Sequence, residues 1–365
     1  MMKIGILTFH CAHNYGAVLQ AYALQECLKE LNHEVAIIDY RPNYLIKPYQ
    51  SFYIRRYIRR NIIKGICSLI LEPFLYSKRK IKFHNFDNFI KKKLLLSEYS
   101  GLEHTDYDMI VLGSDQIWNP NLTGGTFDSV YFGGNFKGRI VSYAASMGIG
   151  EIPEKSKERV KKMLQRIYMI GVREISMIRP LQQLCLNSEI SLTLDPTLLA
   201  GKAVFDRIKV TPLIKNPYVL VYQVVVIPET YRIANEIARQ IGAEVFYCGA
   251  SLKINVKDNC DQTTSPEEFV GYFANASCVV STSFHGTAFS VIYNRPFYTI
   301  KLGSETDLRS ISFLKNISLS HRMIDKESSP IFSEIDYTDA NKHLHDMRMK
   351  SLDFLISATK KDTLI

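Results

Sequence analysis

The run Ser283-Phe284-His285-Gly286-Thr287 sets a histidine between an apolar, β-branched stretch (Cys278 to Ser281) and an apolar, helix-like stretch (Ala288 to Tyr293). A strand that turns into a helix delivers its loop to the carboxyl edge of a sheet, and the first helical turn leaves backbone N–H groups free for an anion. His285 is therefore placed to hold a phosphate or move a proton, with Ser283, Gly286 and Thr287 beside it. The alternative is a core or capping histidine.

Three other loops carry similar chemistry. In Phe9 to Ala17 a strand gives way to a polar turn, and Asn14, Tyr15 and Gly16 open a helix whose amides suit a phosphate or nucleotide sugar, or form an ordinary βα turn. Ser114 and Asp115 follow the strand Met109 to Leu112, beside the only tryptophan, Trp118. Asp115 suits hydroxyl recognition or base catalysis, or else caps the turn. Arg173, in Val172-Arg173-Glu174, offers a fork of donors for phosphate or carboxylate, or a structural ion pair with Glu174.

The elements that must position these loops alternate between strand and helix. Lys3 to Phe9, Gly16 to Leu31 and Glu34 to Asp39 make a βαβ opening, which predicts a parallel sheet. Strands are expected at Met109 to Leu112 and Ile140 to Ala145, a helix near Lys155 to Tyr168, and a last strand at Ser191 to Asp195, ended by Pro196. A second α/β pattern starts at Pro217: a strand over Tyr218 to Val226, a helix over Glu229 to Ile241 ended by Gly242, and a strand over Glu244 to Cys248. Ser265-Pro266-Glu267-Glu268 is a capping box. Thr338 to Thr359 reads as a final helix returning to brace the two halves. The expected domains are 1–200, with a basic insertion at about 44–100, then 201–335 and 336–365.

Composition bounds the function. At 365 residues and 46% hydrophobic content, the chain can bury a sizeable core in two domains. Its seven cysteines form no C-x-x-C pair and fit neither a disulfide framework nor a zinc site, which points to a reducing cytoplasm. Met1 to Phe9 lacks a secretory cleavage site, and no apolar run reaches the roughly 18 to 20 residues of a spanning helix. The histidines lack metal-ligand spacing and H-E-x-x-H is absent, so no metal is indicated.

The net charge of +9 is local, because residues 44–100 carry 13 Lys/Arg against 3 Asp/Glu. Within them, residues 52–75 interleave arginines with isoleucines and leucines. This pattern suits an anionic membrane surface at the inner face of the cell membrane, or an acidic partner, or a pair of solvated helices packed on the first domain. No nucleic-acid module accompanies it.

Asn14 to Tyr22, Gly113 to Asn119, Ser142 to Ser146, Val172-Arg173-Glu174, Asp195-Pro196-Thr197 and Ser283 to Thr287 together resemble the polysaccharide pyruvyl transferase family, in the family's order. The resemblance implies an α/β fold of two Rossmann-like domains facing across a cleft, glycosyltransferase-B-like, with 1–200 as the acceptor side and 201–335 as the donor side. It also implies transfer of a pyruvyl group from phosphoenolpyruvate, the donor substrate, to hydroxyls of a saccharide, free or lipid-linked, as a ketal, with no cofactor. By the same resemblance Arg173 holds the donor's anionic groups, and His285 binds phosphate or donates the proton. Asp115 is the candidate for ordering or deprotonating the acceptor hydroxyl. Ser283 stands where characterised members carry arginine, and Arg309 and Lys301 are candidates to replace that charge. Two other classes fit the same fold: a glycosyltransferase using a nucleotide sugar, and a non-catalytic saccharide-binding protein of polysaccharide assembly.

Overall fold

The computed structural model describes all residues except 50–61, 150, 186–188, 250–251, 253–258 and 361–365, and the side chains of 62–74 and 305. Two wholly parallel sheets form its frame. The first contains β1 (Lys3–Leu7), β2 (Glu34–Ile38), β3 (Leu96–Ser97), β4 (Met109–Leu112), β5 (Arg139–Ala145), β6 (Met169–Val172) and β7 (Ile190–Leu192), in the order β3-β2-β1-β4-β5-β6-β7. The second contains β8 (Tyr218–Gln223), β9 (Glu244–Gly249), β10 (Cys260–Asp261), β11 (Cys278–Ser281), β12 (Phe297–Ile300) and β13 (Met323–Ile324), in the order β10-β9-β8-β11-β12-β13. Each sheet runs third, second, first, fourth, fifth, sixth, which is the doubly wound dinucleotide-fold order. Strands β4, β8 and β11 are buried along their whole length, because helices cover both faces of a parallel sheet.

Several local expectations are met closely. Asn14 caps the helix Tyr15–Glu30 by accepting from Ala17 N. Gly242 ends the helix Pro228–Ile241 in the left-handed region. Ser265 and Glu268 close a reciprocal capping box. Two expectations need correction. The strand from Tyr218 stops at Gln223, whose side chain accepts from Ile227 N, and Val224 to Val226 turn out as an exposed loop. The strand placed at Ser191 to Asp195 is Ile190–Leu192; Asp195 instead caps the helix Pro196–Asp206.

For the basic insertion, the reading as a pair of helices packed on the first domain falls largely on residues outside those described. Its described part contains one long helix, Ile62–Lys93, that touches both domains. Lys82 Nζ donates to Gly249 O at 2.7 Å and Asn85 Nδ2 to Thr263 O at 2.7 Å, while Phe86, Phe89 and Ile90 pack into the first domain's core. Most of the segment 52–75 lies outside the described residues or their described side chains. No described helix is long and apolar enough to cross a membrane.

The last helix, Thr338–Ala358, returns as expected. It begins beside the second domain, where the Tyr337 hydroxyl donates to Arg295 O, and ends on the first, where Arg139 donates to Ala358 O. Between these points Ser351 Oγ accepts from Leu194 N and Arg348 Nε donates to Leu198 O. Two Rossmann-like domains, a cleft and a bracing C-terminal helix make up the glycosyltransferase-B-like plan.

Candidate active site

In a doubly wound sheet the loops diverge where the strand order reverses, leaving a crevice at the carboxyl ends. The two reversal points here, β1/β4 and β8/β11, face the same cavity of about 390 Å³. Asn14 and Asp115 line it from the first domain; Val224, Val225, Ser283 and His285 line it from the second. Tyr44 and Tyr49 of the insertion close a third side.

His285 packs directly against the first domain. An added Cβ on Gly16 would fall 2.1 Å from His285 Nδ1, so only glycine at position 16 lets the ring approach the helix Tyr15–Glu30. The other ring nitrogen, Nε2, lies 3.6 Å from Asp195 Oδ2. Ser283 occupies the cap position of the helix Phe284–Ile292 without a side-chain cap bond, so the helix opens uncapped on the cavity.

Behind the histidine lies a buried charge network. Arg173 donates to Asp195 Oδ2 at 3.0 Å, and its guanidinium lies 3.4 Å from Glu174 Oε1 and 3.5 Å from Asp115 Oδ1. Burial works against its charge, but the three carboxylates outweigh burial and keep it protonated. Asp195 is fully buried; burial pushes its carboxyl up, while His285, then Arg173 and Thr197, overcome this and hold it well below the usual range. Asp115 sits at φ +79°, a region a non-glycine residue rarely adopts, which turns its carboxylate toward the cavity rim.

The expected site residues therefore divide. Asn14, Gly16, Asp115, Ser283 and His285 come together at the cavity. Arg173 does not reach it as a free cation, because its donors are committed to carboxylates; here the structural ion-pair reading prevails. Tyr15 is buried, donates to Thr264 O at 2.9 Å and stacks on Phe269 at 4.4 Å, so it joins the domains rather than contacting a ligand. Ser114 donates to Ala144 O and is fully buried. Thr287 is spent on Ser283 O and Thr299 Oγ1, and Gly286 is pressed against Ser281 Oγ.

The cavity's cation is Arg309, from the helix Leu308–Asn316. It has no ion pair among the described residues, and its guanidinium lies 5.6 Å from the centre of the Phe284 ring. Burial and then the Arg173 charge lower its pKa, and the more distant Glu174, Asp115 and Asp195 carboxylates only partly offset them. Lys301, the other candidate to replace the missing arginine, pairs with Asp325 at 3.1 Å and does not line the cavity.

Residues 14–304 match the family described as polysaccharide pyruvyl transferase. The chain belongs to that family. In this pyruvyl transferase family member the match takes in most of the cavity lining, from Asn14 to Leu302, but leaves out Phe9, Ala12, Thr306 and Arg309. No curated protein matches the chain in sequence. Among solved structures it is similar to a UDP-N-acetylglucosamine 2-epimerase, with 10% identity and a TM-score of 0.47 over 97% of this chain and 90% of that one. It is also similar to the UDP-GlcNAc 2-epimerase from Neisseria meningitidis bound to UDP-GlcNAc, with 12% identity and a TM-score of 0.45 over 96% of this chain and 100% of that one. A third is the spinosyn forosaminyltransferase SpnP, with 11% identity and a TM-score of 0.45 over 96% and 95%.

Proposed function

We propose that this transferase moves a pyruvyl group from phosphoenolpyruvate to two hydroxyls of a saccharide, forming a ketal and releasing phosphate. The observation that carries the reading is the unpaired Arg309 beside His285 and the uncapped helix start at Ser283, in a cavity whose opposite wall holds Asp115. A donor with a phosphate and a carboxylate calls for a cation and N–H donors. Arg309 supplies the first and the amides at Phe284 to Gly286 the second.

In the proposed sequence His285 gives a proton to C3 of the enol while a saccharide oxygen, ordered by Asp115, attacks C2. The attacking hydroxyl passes its proton to the Asp115 carboxylate as the O–C2 bond forms, and the addition yields a phosphorylated tetrahedral adduct. Loss of phosphate with its electron pair leaves an oxocarbenium centre, and the second hydroxyl closes the ketal and releases its proton. Arg173 supports this from behind by fixing Asp115 and Asp195.

The test is phosphate release from phosphoenolpyruvate on addition of a saccharide acceptor panel, free and lipid-linked. Acceptor-dependent phosphate with a product heavier by the pyruvate ketal supports the reading. Turnover of a nucleotide sugar in its place would replace it.

The basic insertion extends the proposal to an anionic membrane surface bearing a lipid-linked acceptor. Flotation with liposomes tests it: binding to anionic but not neutral vesicles is expected, and failure with both removes the idea.

A further inference from the structure

The carboxylate that faces His285 is supplied by the other domain. Asp195 follows β7 in the first domain; His285 follows β11 in the second. Both oxygens of Asp195 have assigned tasks. Oδ1 accepts from Thr197 N at 3.0 Å and Thr197 Oγ1 at 2.7 Å, which fixes the carboxylate plane at the start of the helix Pro196–Asp206. Oδ2 accepts from Arg173 at 3.0 Å and faces His285 Nε2 at 3.6 Å. Nε2 is buried and has no other partner, whereas Nδ1 lies on the Gly16 side of the ring.

An ionised carboxylate presents no donor, so the nitrogen facing it must carry the hydrogen. The 3.6 Å spacing is an ion-pair distance, of the kind that tightens when a ligand completes a site.

We propose that Asp195 is a positioning residue that holds His285 as the Nε2–H form, leaving Nδ1 as the nitrogen that gains and loses the proton. The inference rests on the reading of His285 as the residue that serves the donor. It also makes the protonation geometry a property of the closed pair of domains, since neither domain alone contains both groups.

Asp195→Asn is the informative variant. The amide oxygen can still accept from Thr197, while the NH₂ group replaces Oδ2, gives up the bond from Arg173 and presents a donor to Nε2. The ring should then switch to the Nδ1–H form. Nitrogen NMR of protein labelled at histidine reads this directly, with His285→Gln identifying the signals of His285 among the nine histidines. The expected result is Nε2–H in the native protein, Nδ1–H in Asp195→Asn, and a fall in turnover of roughly 10²- to 10⁴-fold with little change in donor KM. Thr197→Ala is the milder perturbation: it removes the Oγ1 contact but keeps the cap bond from the Thr197 backbone N–H, so it should keep the tautomer.

Unchanged His285 nitrogen signals in Asp195→Asn would overturn the inference, as would a switched tautomer with full turnover. If the native protein fails to use phosphoenolpyruvate, the donor reading falls, and the NMR comparison still decides whether Asp195 sets the tautomer.

Discussion

Two guanidiniums approach the Phe284 ring at nearly equal distances, Arg173 at 5.7 Å and Arg309 at 5.6 Å, yet they stand in opposite electrostatic settings. Arg173 belongs to the first-domain wall and is enclosed by Asp195, Glu174 and Asp115. Arg309 belongs to the second-domain wall and makes no ion pair among the described residues; the same carboxylates act on it only from beyond ion-pair distance. A buried arginine held by three carboxylates is part of the scaffold, because its removal strands charges that cannot be resolvated. One that lines a cavity without a partner leaves its donors for whatever enters.

The comparison is most severely tested by removing the scaffold charge. Arg173→Met leaves buried carboxylates uncompensated and should cost about 3–5 kcal/mol of stability, seen as a large drop in denaturation midpoint. A stable Arg173→Met protein with only a raised donor KM would reverse the roles of the two arginines. Arg309→Met should do the converse, keeping the native midpoint while weakening the donor by about 1.5–3 kcal/mol, a rise in KM of roughly 10- to 150-fold.

A Gly16→Ala substitution probes the contact between the walls. Its methyl would meet the His285 ring at 2.1 Å, so the domains must separate slightly. A cost of about 1–3 kcal/mol is expected, together with loss of turnover; full activity would show that the His285 approach is dispensable.

The smallest effect concerns Lys82, which links the insertion helix to the second domain. Burial lowers its pKa to about 8. Between about pH 8 and the ordinary lysine value near 10.4, the unfolded chain binds more protons than the folded one, so this residue makes stability rise with pH in that window. Below pH 8 both states are protonated and the trend stops. Denaturation midpoints at pH 7.5 and 9.5 should therefore rise more in the native protein than in Lys82→Met, and equal slopes would place the Lys82 amine in water.

What the sequence made legible is what depends on near neighbours. The strand, loop and helix around His285, the Asn14 cap and the Ser265 capping box are short-range patterns, and they appear where expected. What escaped it depends on partners far along the chain. Tyr15 sits in a motif that looks ligand-facing, but its hydroxyl crosses 249 positions to Thr264. Arg173 reads as an anion clamp until Asp195, 22 positions on, is seen to occupy it. Arg309 carries no local motif; the sequence offers it, with Lys301, only as a stand-in for the charge missing at Ser283, and the cavity lining separates the two. Val224 to Val226 read as strand because β-branched residues favour sheets, yet the sheet edge ends at Gln223.

The only tryptophan, Trp118, is fully buried in the first domain, stacked on Phe132 at 5.1 Å, with its indole N–H bonded to Tyr131 O. Its fluorescence is thus a one-sided reporter: it registers melting of the first-domain half and is blind to independent melting of the other. Helical circular dichroism sums both halves. Superimposed unfolding curves from the two signals would mean that the Tyr15 stack, the bridging helix and the returning C-terminal helix weld the halves into one cooperative unit, and separated curves would date the loss of each half in turn.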